Sequence, residues 1–382
     1  MKPLAEISIL MISTDPGLLK HGDEIDVAQR HRAYAGHLKR LDIIVIGNGA
    51  VGISDLADNC RAYGLGNNIF SMVRAFSWGK KLFAKYKYDL IDCQDPHATG
   101  LVGSWLARRF QKPLEVHFHG DFWDNDYWLR ESWKNPIYNI IQKKVVRQAQ
   151  GIRVVSQKIK DKLVASGMVS DKIEVINTPI NEKIFALSPA GDKVREIQNK
   201  YGKKILLFVG RLVAAKNLLF MVQTIKELKK RRDDFVLLII GEGNQRGHIH
   251  TLIDQNYLPE QVYLLGEKEQ QLLVDYYQAA YLLLLLSTNE SFGKVIIEAG
   301  LRGTPTLASH TLGASTIIDD EQTGWLVGVN NLKQTVDKLD LLLSEHDLVK
   351  LTGSAAQKKY AASYSQALAE RKIFDFWQRL AG

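Results

Sequence analysis

Two glutamates eight positions apart, Glu290 and Glu298, lie where a chain could do chemistry. Glu290 falls in a polar turn, Ser287-Thr-Asn-Glu290, after the apolar run 281–286. Glu298 sits inside Val295-Ile-Ile-Glu298-Ala299. A carboxylate among such neighbours is costly unless it is paired or holds something. Arg302, four positions on, is a local candidate for the pairing. Strand, polar turn and helical pattern together form the layout of an anion site at a helix N-terminus. Upstream, Gly210-Arg211-Leu-Val-Ala-Ala-Lys216 joins another apolar run to a helical pattern. It places two cations at the carboxyl end of a strand, where open parallel sheets bind ligands. Two cations and a helix N-terminus can neutralise a diphosphate. Gly241-Glu-Gly243 closes the next strand. In the first half, the run 114–119 ends in His119-Gly-Asp, and Gly17 lies in the loop after the first strand. His117 is assigned to the opposite strand face from His119 and to a structural role.

Other chemistries fit less well. A glycosidase needs two carboxyl groups about 5–9.5 Å apart, whereas eight positions of regular helix span roughly 12 Å. Gly47-Asn-Gly-Ala-Val-Gly52 spells a dinucleotide fingerprint. It follows the second strand, however, and no ribose-binding acid ends a strand some 20 residues on. Its glycines are taken as a loop, and 61–68 as turn-rich. Asp124-Asn-Asp126 spells a metal motif, but in an aromatic segment rather than after a strand, and is taken as coincidence.

The elements that must position these residues alternate. Strands are expected at 7–13, 42–46, 88–93, 114–119, 153–155 and 173–176, with helices between them. After a linker at 177–200 the rhythm resumes, with strands at 204–209, 235–240, 262–265 and 282–286. Both halves are therefore parallel α/β domains, and 365–380 forms a final helix.

The chain has 382 residues and a formal net charge of +8, which suits two domains. To residue 180 there are 25 Lys and Arg against 19 Asp and Glu, so the excess lies in the first half. No dense basic run with interleaved aromatics points to nucleic acid. Cys60 and Cys93 are too few for a disulfide framework. The first residues resemble a strand more than a signal peptide, and no apolar run approaches a membrane span. A soluble cytoplasmic protein is expected.

The spacing Glu290-x7-Glu298, with Ser-Phe292-Gly293 after the first acid, resembles the EX7E signature of retaining glycosyltransferases of the GT-B fold, family 4. The Gly-Arg-x4-Lys loop before it and Gly303-Thr-Pro305 after it agree in order. The resemblance implies two Rossmann-like domains facing a cleft, with domain closure assembling the site. The N-terminal, acceptor-side domain would cover 1–180 and the donor-side domain 181–364, with 365–382 crossing back to the first. It implies a hexosyltransferase-type enzyme that uses a nucleotide sugar as substrate, with no cofactor and no metal. Arg211 and Lys216 would bind the donor diphosphate and Glu298 the ribose. Glu290 would bind a donor-sugar hydroxyl, with the backbone of Phe292 and Gly293 close by. Gly241 and Gly243 would lie near the nucleobase. His119 would contact the sugar and Gly17 would let its loop approach. Ala215 stands where the family often has an acid.

The segment 122–133, rich in Trp and Tyr beside Arg130 and Lys134, would frame a glycan or lipid-linked acceptor, touch the inner face of a membrane, or only pack. A sugar-nucleotide epimerase and a non-catalytic binding protein are the rival readings.

Overall fold

The computed structural model describes residues 1–19, 26–47, 49, 51–66, 70–178, 180, 184–185 and 191–382. It forms two compact units, Met1–Thr178 with Ala367–Gly382, and Pro179–Gln366.

The first unit is an eight-stranded sheet. Its strands are β1 (Ser8–Ser13), β2 (Arg40–Val45), β3 (Val51–Ala57), β4 (Cys60–Leu65), β5 (Leu90–Cys93), β6 (Leu114–Phe118), β7 (Gly151–Val154) and β8 (Ile173–Val175). They lie in the order β3-β4-β2-β1-β5-β6-β7-β8. All neighbours are parallel except β3 and β4. The helices are α1 (Asp26–Ala35), α2 (Ser71–Lys85), α3 (Ala98–Phe110), α4 (Asp126–Glu131), α5 (Asn135–Gln148) and α6 (Gln157–Ala165). Strands β1, β5 and β6 are wholly buried, as strands covered on both faces must be.

The second unit holds α7 (Gly191–Tyr201), β9 (Lys204–Val209), α8 (Leu218–Lys229), β10 (Phe235–Ile240), α9 (Arg246–Gln255), β11 (Val262–Leu264), α10 (Gln270–Ala279) and β12 (Leu282–Leu285). It continues with α11 (Lys294–Leu301), β13 (Thr306–Ser309), α12 (Ala314–Ile317), β14 (Gly324–Val327), α13 (Leu332–Ser344) and α14 (His346–Ser363). Its sheet runs β11-β10-β9-β12-β13-β14, with every pair parallel. The order reverses direction at β1/β5 in one sheet and at β9/β12 in the other. Such switch points open a crevice at the carboxyl ends of the strands.

The last helix, α15 (Gln366–Ala381), belongs to the first unit's core. Ile373, Phe376 and Trp377 are buried there, and Trp377 meets Tyr34 edge-on with ring centroids 5.6 Å apart.

Two expectations are overturned. Residues 61–65, expected as turn, form β4 in a hairpin with β3. The edge strand β3 buries Ser54 and Leu56 and exposes Ile53, Asp55 and Ala57, the period-two pattern of a half-covered strand. Val51 and Gly52 of the expected glycine loop lie in that strand, while residues 48 and 50 are outside the described ones. The expected linker also contains α7, an amphipathic helix on the side of α10. Pro179 and Pro189 lie outside the described residues.

Candidate active site

The loop after β9 and the turn after β12 are bonded to each other. Thr288 N donates to the carbonyl of Ala215 at 3.0 Å. Lys216 Nζ forms an ion pair with Glu290 Oε2, both side chains being largely enclosed. Asn217 takes a left-handed conformation at the N-terminus of α8, and its side-chain amide donates to the carbonyl of Leu286 at 3.1 Å. Arg211, at the start of the same loop, is exposed. Glycine is required next door. A Cβ on Gly241 would lie 1.9 Å from the carbonyl oxygen of Gly210, and one on Gly243 would lie 2.4 Å from that of Leu212. Side chains there would part the two loops, which are joined by Leu212 N donating to the Glu242 carbonyl at 2.9 Å.

Gly293, at φ +91°, turns the chain into α11. Phe292 packs edge-on against Tyr364. Glu298 is 5% exposed. Its Oε2 accepts the phenolic O–H of Tyr277 at 2.7 Å, and its Oε1 lies 3.5 Å from Lys294 Nζ. Burial and the nearby Glu298 charge push the Tyr277 phenol well above the usual tyrosine range, so it stays a donor. Arg302 is not the partner of Glu298. Its guanidinium donates to the Phe185 carbonyl at 2.7 Å and to Gln278 at 3.0 Å. Arg302 stands at the C-cap, past the last residue of α11, and turns to these groups instead, while Lys294 one turn before Glu298 and Tyr277 from α10 reach the carboxylate.

The strand ends of the first unit carry a second cluster. Gly17 lies in a single turn after β1, its N–H donating to Asp15 Oδ1 at 2.8 Å. His119 follows β6, with Nε2 3.2 Å from Gln94 Oε1. Gln94 Nε2 donates to Asp92 Oδ1 at 3.0 Å. An ionised carboxylate only accepts, so the amide oxygen of Gln94 must face His119, and Nε2 of His119 carries the proton. Below it, His117 Nε2 lies 2.9 Å from Glu115 Oε1 and 3.3 Å from Asp92 Oδ1. Burial opposes a charge there, but the carboxylates of Asp92 and Glu115 overcome it and push His117 up to about 9. Trp377 Nε1 donates to Asp92 Oδ2 at 3.2 Å.

His117 is thus on the same strand face as His119, with ring centroids 5.5 Å apart, and not on the opposite one. Alternate residues of a strand share a face. Asp92, Glu115 and His117 also place potential metal ligands within 4.8 Å of one another. The proton on His117 Nε2 between two carboxylates accounts for the cluster as an internal ion pair.

The aromatic segment is mostly packed. Trp123 and Trp128 are buried, and His97 stacks on Trp128 at 5.0 Å. Asp124 is engaged by Lys143 at 2.7 Å and Asn139 at 2.7 Å. Trp133 alone among the tryptophans of this segment stands out, at 77% exposed. Gln94, Asp92 and Tyr277 escaped the sequence reading. Gln94 carried a faint signal, ending a buried strand. Tyr277 carried none, because its partner is 21 residues away.

Two parallel α/β units, the second with a basic loop and two acids at its switch point, define the GT-B class of glycosyltransferase. The model for Glycosyltransferase Family 4 matches residues 17–183, and that for Glycosyl transferases group 1 matches 191–359. The chain belongs to this family of glycosyltransferases. It is similar to alpha-D-kanosaminyltransferase of Streptomyces kanamyceticus, 22% identical over 75% of this chain and 76% of that enzyme. It is also similar to D-inositol 3-phosphate glycosyltransferase of Nocardia farcinica, 34% identical over 44% of this chain but only 38% of the relative's length. The fold resembles sucrose-phosphate synthase of Thermosynechococcus elongatus, with a TM-score of 0.78 at 19% identity, covering 98% of this chain and 99% of that one. It likewise resembles Anabaena HepE in complex with UDP, with a TM-score of 0.79 at 16% identity, covering 98% and 100%.

Proposed function

We propose that the chain moves a hexose from a nucleotide-sugar donor to an acceptor hydroxyl, with retention of anomeric configuration and without a divalent metal. It would serve glycan, polysaccharide or glycolipid synthesis in the cytoplasm. The observation that supports this most is the junction of the Arg211–Lys216 loop with the Glu290 turn at a sheet switch point. Arg211 and Lys216 bind the diphosphate and stabilise its departure electrostatically, supplying the charge that a metal ion would otherwise bring. Glu298, held on one oxygen by Tyr277, uses the other for the ribose hydroxyls. Glu290 binds a sugar hydroxyl, beside the backbone of Phe292 and Gly293. Gly241 and Gly243 leave room for the base.

By the family resemblance, His119 contacts the donor sugar and stabilises charge at the anomeric carbon, and Gly17 leaves room beside it. In the reaction the bond from C1 to the diphosphate oxygen breaks and a bond from the acceptor oxygen to C1 forms. The acceptor proton is released. The segment 122–133 frames the acceptor through Trp133.

The test is a thermal-shift and calorimetry panel of UDP-, GDP-, ADP- and dTDP-sugars on wild type and Arg211→Ala. UDP-sugars head the panel, because structures of similar fold hold UDP and UDP-glucose. Stabilisation by one class, lost in the variant, supports the donor site. No response from a folded protein favours a non-catalytic role. Conversion of the donor without any acceptor would favour an epimerase. Activity abolished by a chelator and restored by Mg²⁺ would overturn the metal-free reading.

A further inference from the structure

The first unit's charge is not spread over its surface. Helix α2 packs on α3, and α3 on α5. These three helices hold nine Lys and Arg and no Asp or Glu. Lys143 pairs with Asp124. Arg74, Lys80, Lys81, Arg109, Lys144 and Arg147 are exposed and pair with no carboxylate among the described residues. Elsewhere the pattern differs: on α13, Lys333 pairs with Asp337 and Lys338 with Glu321.

The same layer exposes apolar side chains. Val73 on α2, Trp105 on α3, and Ile137 and Ile140 on α5 face solvent, Ile140 at 61%. Trp133 precedes α5. Cations alone would suit any polyanion. Apolar groups set among them gain nothing from a nucleic acid backbone or a soluble acidic polymer. They suit the boundary between headgroups and acyl chains, where lysine and arginine stems lie along the apolar zone and their charges reach the phosphates.

We infer that the outer face of α2, α3 and α5 docks on an anionic lipid surface. This goes beyond the transferase reading and does not depend on it. It limits the aromatic segment's part in the membrane contact to its exposed end, Trp133, because Trp123 and Trp128 are buried.

The test is co-sedimentation of the full chain with vesicles of phosphatidylcholine alone and of phosphatidylcholine mixed with phosphatidylglycerol, at low and high salt. Binding should need phosphatidylglycerol and fall with salt. Each cation near the surface is worth about fivefold in partitioning. Lys80→Glu, Lys81→Glu, Arg109→Glu and Lys144→Glu together should weaken binding by more than about a hundredfold. The far-UV circular dichroism and the thermal shift with donor should not change. Ile137→Ser with Ile140→Ser should reduce binding while leaving its salt dependence, and tryptophan emission should shift to the blue on wild-type binding. Three results would overturn the inference: no binding to phosphatidylglycerol vesicles, binding insensitive to the charge reversals, or DNA binding as tight as vesicle binding with no emission shift and no effect of the serine pair.

Discussion

Tyr277 donates its hydroxyl to Glu298 at 2.7 Å, and both side chains are buried. The phenol holds one carboxylate oxygen and sets the direction of the other. Tyr277→Phe should therefore destabilise the second unit by about 1–3 kcal/mol, the cost of a buried acceptor left short of a donor. It should also weaken nucleotide binding. Urea unfolding and calorimetric titration with UDP would check both, and a stable variant with unchanged affinity would count against the anchoring role.

Lys216 and Glu290 form an ion pair. The proposed donor must draw Lys216 toward its diphosphate, so the two residues should fail differently. Lys216→Ala should weaken nucleotide-sugar binding by about tenfold or more. Glu290→Gln should leave UDP affinity within about twofold and lower turnover about a hundredfold to a thousandfold. Equal losses of affinity in both variants would contradict the division of roles.

Gln94 lies between Asp92 and His119. Its amide orientation fixes the proton of His119 on Nε2 and leaves Nδ1 as an acceptor. Gln94→Leu should lower turnover by about tenfold to a hundredfold through loss of orientation. Nucleotide affinity, read by calorimetry, should be unchanged, because Gln94 belongs to the first unit. A fall in affinity with turnover intact would show that Gln94 acts otherwise.

Stability should depend on pH in both directions. The folded pKa of His117, about 9, lies above the ordinary histidine value of about 6.5. Its contribution is complete below about pH 6.5 and is lost as pH rises through about 9. His31 behaves in the opposite sense. Burial and the charge of Arg30 push it down to about 4. Its contribution is complete above about pH 6.5 and is lost as pH falls toward 4. Each shift corresponds to something on the order of 3 kcal/mol. Thermal melts should show a maximum near neutrality, and His31→Leu should flatten the acid side while leaving the alkaline side.

The chain by itself determined a good deal. Apolar runs such as 235–240 and 282–286 have the length of covered strands and are bounded by turn residues, and the helical patterns between them suit parallel crossovers. The order of the basic loop, Glu290 and Glu298 was legible for the same reason, since spacing along one segment is a local property. Partnership is not local. Asp92 stands opposite Glu115 only because β5 and β6 pair in that register, and His117 is charged only because both acids then surround it. Arg302 looked like the partner of Glu298 by helical spacing, yet α10 brings Tyr277 to the carboxylate. The hairpin β3–β4 was hidden because its edge strand β3 buries too few side chains to show a run of apolar residues, and β4 is broken by Arg61 and Gly64 although it lies inside the sheet. The basic face shows the same limit from the other side. Its nine cations are scattered over residues 74–147, and only the packing of α2, α3 and α5 gathers them on one surface.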